Sequence, residues 1–223
     1  TRMIAPCQAI SRAMQRNGLS KEKITILPHG IPLPKEVPDF PPIINGKIKF
    51  FYVGRICYVK GLHILLEAFS LLDNENAELH LIGGVGNKSE RRYEHSLKRR
   101  YAADKRVVWH GKVPPEKVFD MIRLYHISSS SSSYLEAFGL NIAESLAMGK
   151  PVLATRCGGA EMQIDDGVNG WLVEPNNVDA LAEKMQEISD SFTNYNTHLS
   201  TERVISIEEH CKSLIKLYET TAH

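Results

Sequence analysis

The chain has 223 residues, 43% hydrophobic and 24% charged, a balance that excludes a disordered polymer and allows a substantial core. Its 27 basic and 26 acidic residues nearly cancel, so no global field draws it to nucleic acid or anionic lipid, and any anion binding must be local. Four scattered cysteines without a C-x-x-C pair argue against a zinc site and read as reduced thiols in a cytoplasmic protein, and no apolar run reaches the ~20 residues of a membrane helix.

Residues 1–32 give a short strand (3–6), a helix (7–18) and an extended piece (23–33). The proline-rich stretch PLPKEVPDFPP (32–42) follows, with the composition of a linker. From residue 47 apolar runs alternate with amphipathic ones, the rhythm of repeated βα units around a buried parallel sheet. Strands are expected at 47–54, 77–84, 105–113, 126–131, 150–155 and 170–174, and helices at 61–72, 88–103, 114–125, 140–149 and 177–190. A polar break at 191–200 precedes a last helix near 203–219. The fold class is therefore α/β, a Rossmann-like parallel sheet with helices on both faces, flanked by an N-terminal strand and helix and a C-terminal helix.

The six serines Ser128 to Ser133 have the composition of a tether, yet they fall where the rhythm requires a strand. An ordered strand and loop is predicted, in which the hydroxyls must find backbone carbonyls or a ligand, because a buried unpaired hydroxyl costs about 1–3 kcal/mol.

Three stretches could carry chemistry. In GRICYVKG (54–61), between a strand and a helix, Arg55 offers a planar fork and Lys60 a point charge, a combination suited to a diphosphate. In EAFGLNIAE (136–144), Gly139 permits a tight turn, so that amides of Phe138, Gly139 and Leu140 can face an anion, with Glu136 before the helix and Glu144 within it. A glycosidase pair of carboxylates is an alternative; on one helix the two would stand about 12 Å apart, too far, but the preceding loop leaves the matter open. LIGGVGNK (81–88) fails the dinucleotide fingerprint, having Ser89 where glycine is required, and reads as a glycine turn at a crevice mouth. The basic run from Lys88 to Arg106, interrupted by Glu90, Glu94 and Asp104, reads as a solvated helix face, with a peripheral membrane or acidic-partner contact as the alternative. No metal-ligand spacing occurs among the histidines.

Taken together, ITILPHGI, FYVGRICYVKGLHILLEAF, HLIGGVG, VVWHGKVPPEKV, EAFGLNIAESLAMGKPVLAT and GGAEMQIDDGVNGWLVEP resemble, in this order, the C-terminal domain of retaining GT-B glycosyltransferases of family 4. The resemblance implies half of a GT-B fold, with 1–32 a remnant of the N-terminal domain, 33–46 a linker, 47–200 the nucleotide-sugar domain and 201–223 a crossing helix. It also implies that Arg55 and Lys60, beside Gly54, grip the diphosphate of a UDP- or GDP-linked sugar. Glu136 would lie near the donor sugar and Glu144 near the ribose. Phe138, Gly139 and Leu140 would contact phosphate or sugar, and Lys112 and Val113 the base. No cofactor or metal is implied. The partners would be the missing N-terminal domain and a saccharide, lipid or small-molecule acceptor. The other readings are a non-catalytic nucleotide-sugar-binding subunit and a GT-B-type epimerase. Two departures stand out: Ser132 occupies a position where the family commonly has proline, and nearly all of the first domain is absent.

Overall fold

A computed structural model describes residues 2–192 and 204–220. Six parallel strands form the main sheet: β3 (Ile48–Val53), β4 (Ala77–Ile82), β5 (Val107–Gly111), β6 (Ile127–Ser130), β7 (Val152–Thr155) and β8 (Gly170–Val173), in the order β5-β4-β3-β6-β7-β8. Two further strands, β1 (Met3–Ala5) and β2 (Ile24–Ile26), pair with each other in parallel and stay outside that sheet. The helices are α1 (Gln8–Arg16), α2 (Leu62–Ser70), α3 (Lys88–Arg100), α4 (Val118–Ile122), α5 (Leu140–Ala147), α6 (Gly159–Gln163), α7 (Val178–Ser191) and α8 (Ile207–Glu219). Among the described residues no helix is long and apolar enough to cross a membrane.

Strand β3 is continuous in apolar character, with Phe50, Phe51 and Tyr52 all buried, because a central parallel strand is covered on both faces. On one face Phe50 and Tyr52 pack with Leu62, Leu65, Leu66 and Phe69 of α2 and with Leu181 and Met185 of α7. On the other, Phe51 and Val53 meet Ile122, Tyr125 and Met148.

The strand order fixes where a ligand can sit. From β3 the chain moves outward through β4 to β5, then returns to the other side of β3 with β6 and continues to β8. The direction reverses between β3 and β6, so the loops at their C-terminal ends part and leave a crevice.

The serine run is an ordered strand and loop and not a tether, with Ser128 to Ser130 in β6 and Ser131 to Ser133 directly after it. Ser128 to Ser133 are all buried, at most 9% exposed. The Ser145 hydroxyl of α5 donates to Ser128 Oγ at 2.9 Å, and Ser131 donates to the Gly61 carbonyl at 3.0 Å. Ser133 reaches the Tyr58 and Val59 carbonyls at 3.4 Å. Ser129 Oγ alone of these hydroxyls is buried with no partner.

Three expectations change. The helix predicted over 114–125 is one tight turn, Pro115–Lys117, followed by the short α4. Helix α6 was not predicted; it starts at Gly159 directly after Gly158, and is too short to show a period. The predicted strand over 105–113 shortens to Val107–Gly111. The polar break at 191–200 and the boundary at 200/201 fall largely on residues outside those described, although α7 runs on to Ser191. Residues 33–46 hold no helix or strand, yet Phe40 packs on the core, 5.5 Å from the His126 ring and 5.6 Å from Phe192.

Phe40 also covers Lys150, whose side chain is fully buried. The ammonium lies 4.8 Å from the Phe40 ring and 3.5 Å from the Arg123 carbonyl, with no carboxylate pairing it among the described residues. Burial pushes its pKa down from 10.5 to about 8. The unfolded chain therefore holds this proton more tightly than the folded one, and the charge opposes folding below pH 8. That penalty fades as pH rises from about 8 towards 10.5. Lys150→Met should raise stability in urea unfolding at pH 7 by about 1–3 kcal/mol and remove the gain between pH 8 and 10. A less stable variant at pH 7 would show that the ammonium makes a net favourable contact.

Candidate functional site

The crevice at the β3/β6 reversal is a cleft of about 360 Å³ bordered by Gly54, Arg55, Lys60, Glu136, Phe138 to Asn141, Glu144, Tyr52 and His29. A second lobe of about 320 Å³ shares Val53, Gly54 and Arg55 and is closed by Gly83 to Gly86, Lys112, Val113 and Val118. Arg55 thus stands between the two.

The loop after β3 is held from behind by the end of the serine strand. Ser131 and Ser133 bond the carbonyls of residues 58–61, so the tight turn Tyr58–Lys60 presents its last residue to the cleft. Gly61 follows with φ +65°, and a Cβ there would stand 1.8 Å from the Ser131 carbonyl oxygen. Only glycine permits the turn to lie this close to β6. Lys60 Nζ is paired with Glu136 Oε2, both side chains being mostly buried at 26% and 20% exposure. Ser132 donates to the same oxygen at 3.2 Å. The serine that replaces the family's proline therefore supports the carboxylate that neutralises Lys60.

Glu136 is fastened to the loop after β7: its amide donates to the Cys157 carbonyl at 2.7 Å, and its carbonyl accepts from Gly159 N at 2.9 Å. It lies outside α5, so the single-helix geometry considered for a glutamate pair does not apply. Gly139 (φ +83°) then turns the chain into α5, whose N-terminus has no side-chain cap. The first amides of that helix face the cleft with the positive end of its dipole. The Phe138 carbonyl is turned the other way, accepting from Gln163 Nε2. Glu144, on the next turn of α5, lines the same cleft, and burial pushes its carboxyl above the usual range.

In chemical terms the cleft offers two cations, one of them paired with Glu136, and the N-terminus of α5, with Glu144 on the second turn of the same helix. It can hold a ligand that joins a polyanion to a hydroxyl-rich group.

The model of the family described as "Glycosyl transferases group 1" matches residues 35–200, and so most of the chain and nearly all of the main sheet. The chain belongs to the glycosyl transferases group 1. Curated relatives of this group 1 chain include a D-inositol 3-phosphate glycosyltransferase of Arthrobacter sp., 29% identical over 202 residues (85% of this chain, 48% of the relative). A sucrose synthase of Acidithiobacillus caldus is 32% identical over 156 residues (62% of this chain, 19% of the relative). The group 1 chain thus spans half or less of the length of these relatives. The fold is shared with Anabaena HepE, solved with UDP and glucose, at a TM-score of 0.81 and 20% identity over 98% of this chain and 63% of that one. It is likewise shared with a glycosyltransferase of Rickettsia africae, at a TM-score of 0.85 and 20% identity over 99% of this chain and 63% of that one. At that identity the likeness concerns the fold alone.

The structure of this group 1 member brings Gly54, Arg55, Lys60, Glu136, Phe138, Gly139, Leu140 and Glu144 to one cleft, and Lys112 and Val113 to the adjoining lobe. His29, Tyr52, Asn141 and Glu90 were not singled out. His29 reaches the cleft because Ile31 is tied to the residues before α8, its amide donating to the Ile205 carbonyl at 3.0 Å, and its ring stands edge-on to Phe138 at 5.3 Å. ITILPHGI contributed to the resemblance, but nothing local in it announces that tertiary contact.

Proposed function

We propose that this chain is the donor-binding half of a retaining glycosyltransferase, moving a sugar from a nucleotide diphosphate sugar to an acceptor. The observation that carries the reading is the meeting of Arg55, Lys60 and the uncapped N-terminus of α5 at the strand-order reversal, with Glu136 and Glu144 lining the same cleft. In this reading the diphosphate lies between the two cations and the amides of Gly139 and Leu140. The donor sugar faces Glu136, the ribose faces Glu144, and the base enters the lobe of Lys112 and Val113.

Chemically, breaking the sugar–phosphate bond leaves negative charge on the departing diphosphate. Fixed cations and helix amides in a confined site stabilise that charge without reorganising, and this can supply the required electrostatics with no metal. Glu144, already costly as a buried carboxylate, gains most from hydroxyl donors such as a ribose diol. UDP is favoured over GDP as the carrier because HepE, which shares the fold, was solved with UDP. The acceptor, a saccharide, lipid or small molecule, would be held by a further domain facing this cleft.

The test is calorimetric titration with UDP and with GDP in the presence of a chelator. Wild type should bind one of them, and Arg55→Ala should bind it at least about tenfold more weakly. Equal binding by both proteins, or none by either, removes the reading.

A further inference from the structure

The carboxylate of Glu90 contacts Arg55, which borders both lobes of the cleft, and Gly86, which closes the second. We propose that Glu90 is a positioning residue that aims Arg55 at the donor diphosphate, an inference that rests on the donor-cleft reading above. Helix α3 is mostly solvated, and Lys88, Arg91, Arg92 and Arg99 are exposed, yet the Glu90 side chain is only 11% exposed. Both of its oxygens are engaged. Oε1 stands 3.6 Å from Arg55 Nε, and Oε2 accepts from the Gly86 amide at 2.6 Å. Its own amide donates to Asn87 Oδ1 at 2.9 Å, which fixes the first turn of the helix and hence where the carboxylate can reach.

One side chain therefore joins the loop after β4, which closes the second lobe, to the arginine that stands between the lobes. Arg55 needs such a partner. Its side chain is 60% exposed; it also bonds Cys57 within its own loop, and Glu90 supplies the contact from outside that loop that narrows its rotamers before a ligand arrives. Contact through Nε holds the guanidinium from its side and leaves the terminal nitrogens for phosphate oxygens. The backbone is held independently, since Tyr52 donates its hydroxyl to the Arg55 carbonyl at 2.7 Å.

The competing account is that Glu90 merely stabilises α3 as an acidic residue in its first turn. A double-mutant cycle separates the two, with UDP as the probe: wild type, Glu90→Gln, Arg55→Ala and the double variant are titrated, with Glu94→Gln as control. Glu94, of similar burial at 17% exposure, pairs with Lys98 one turn along the helix and borders neither lobe. Glutamine can keep its oxygen on Gly86 N while turning its NH2 towards Arg55, so it spares the loop contact and removes the charge and the acceptor at the guanidinium. Glu90→Gln should weaken UDP binding about fivefold or more, and by less than about twofold once Arg55 is alanine, while Glu94→Gln stays at the wild-type value. Unchanged or tighter binding by Glu90→Gln overturns the proposal, as does an equal loss with and without Arg55. If Arg55→Ala weakens binding and Glu90→Gln does not, this inference alone falls; if wild type takes up only GDP, the cycle is run with GDP, and if it takes up neither nucleotide the donor reading falls and takes the inference along.

Discussion

Lys60→Ala is expected to weaken UDP binding by about 30-fold to over 1000-fold, a larger loss than at any other single position of the cleft. Two effects add. The ammonium that would face the diphosphate is gone, and the carboxylate it neutralised remains. Glu136 is 20% exposed, its main chain is bonded on both sides to the loop after β7, and Ser132 still donates to its carboxylate once Lys60 is gone, which keeps the charge at the cleft. A bare carboxylate would then stand beside the incoming phosphates. The double variant Lys60→Ala/Glu136→Gln removes the repulsion without restoring the attraction, and should recover about tenfold of the lost affinity. Titration calorimetry measures both; Lys60→Ala binding within about threefold of wild type would mean that the pair does not face the ligand.

Gly61→Ala should be among the most destabilising single methyl additions in the chain. The residue is left-handed at φ +65°, which costs a non-glycine residue about 1–2 kcal/mol. The added Cβ would also fall 1.8 Å from the Ser131 carbonyl oxygen, a backbone atom just past the end of β6 that no rotamer change can move. A loss of about 4 kcal/mol or more follows, equivalent to a fall in Tm of about 8–16 °C for a chain of this size. Gly18→Ala makes the comparison clean, since Gly18 is left-handed at φ +91° with nothing within 4 Å of the added atom. It should lose only the backbone term. Thermal unfolding of the two variants side by side gives the answer, and equal losses would show that residues 58–61 do not press on β6 as described.

Much of the fold is legible in the sequence for a physical reason. Parallel strands covered on both faces must be apolar throughout, and KIKFFYVG and AELHLIGG carry that mark. The serine strand is the exception, since its composition points the wrong way and only its place in the βα rhythm identifies it. Helix α6 is invisible because five residues opening on glycine show neither a period nor a stop. At the site, Arg55 and Lys60 are legible because each lies beside a glycine in the loop after β3, and Glu136 and Glu144 because they flank the Gly139 turn, one in the loop before α5 and one in its second turn. Glu90 is not, because in sequence it is an acidic break in a basic run, and its value depends on which way the first turn of α3 faces. His29 depends on a contact between Ile31 and the residues before α8, about 175 positions apart in the chain.

The burial of all six consecutive serines has an outcome beyond packing. Kinases and glycan-transferring enzymes that recognise hydroxyl-rich tracts act on oxygens they can reach, and in the folded chain this tract offers none. Its oxygens are buried against neighbouring carbonyls, the Ser145 hydroxyl and the Glu136 carboxylate or within the sheet, so a segment with the composition of a regulatory tail is shielded from covalent marking for as long as the domain stays folded.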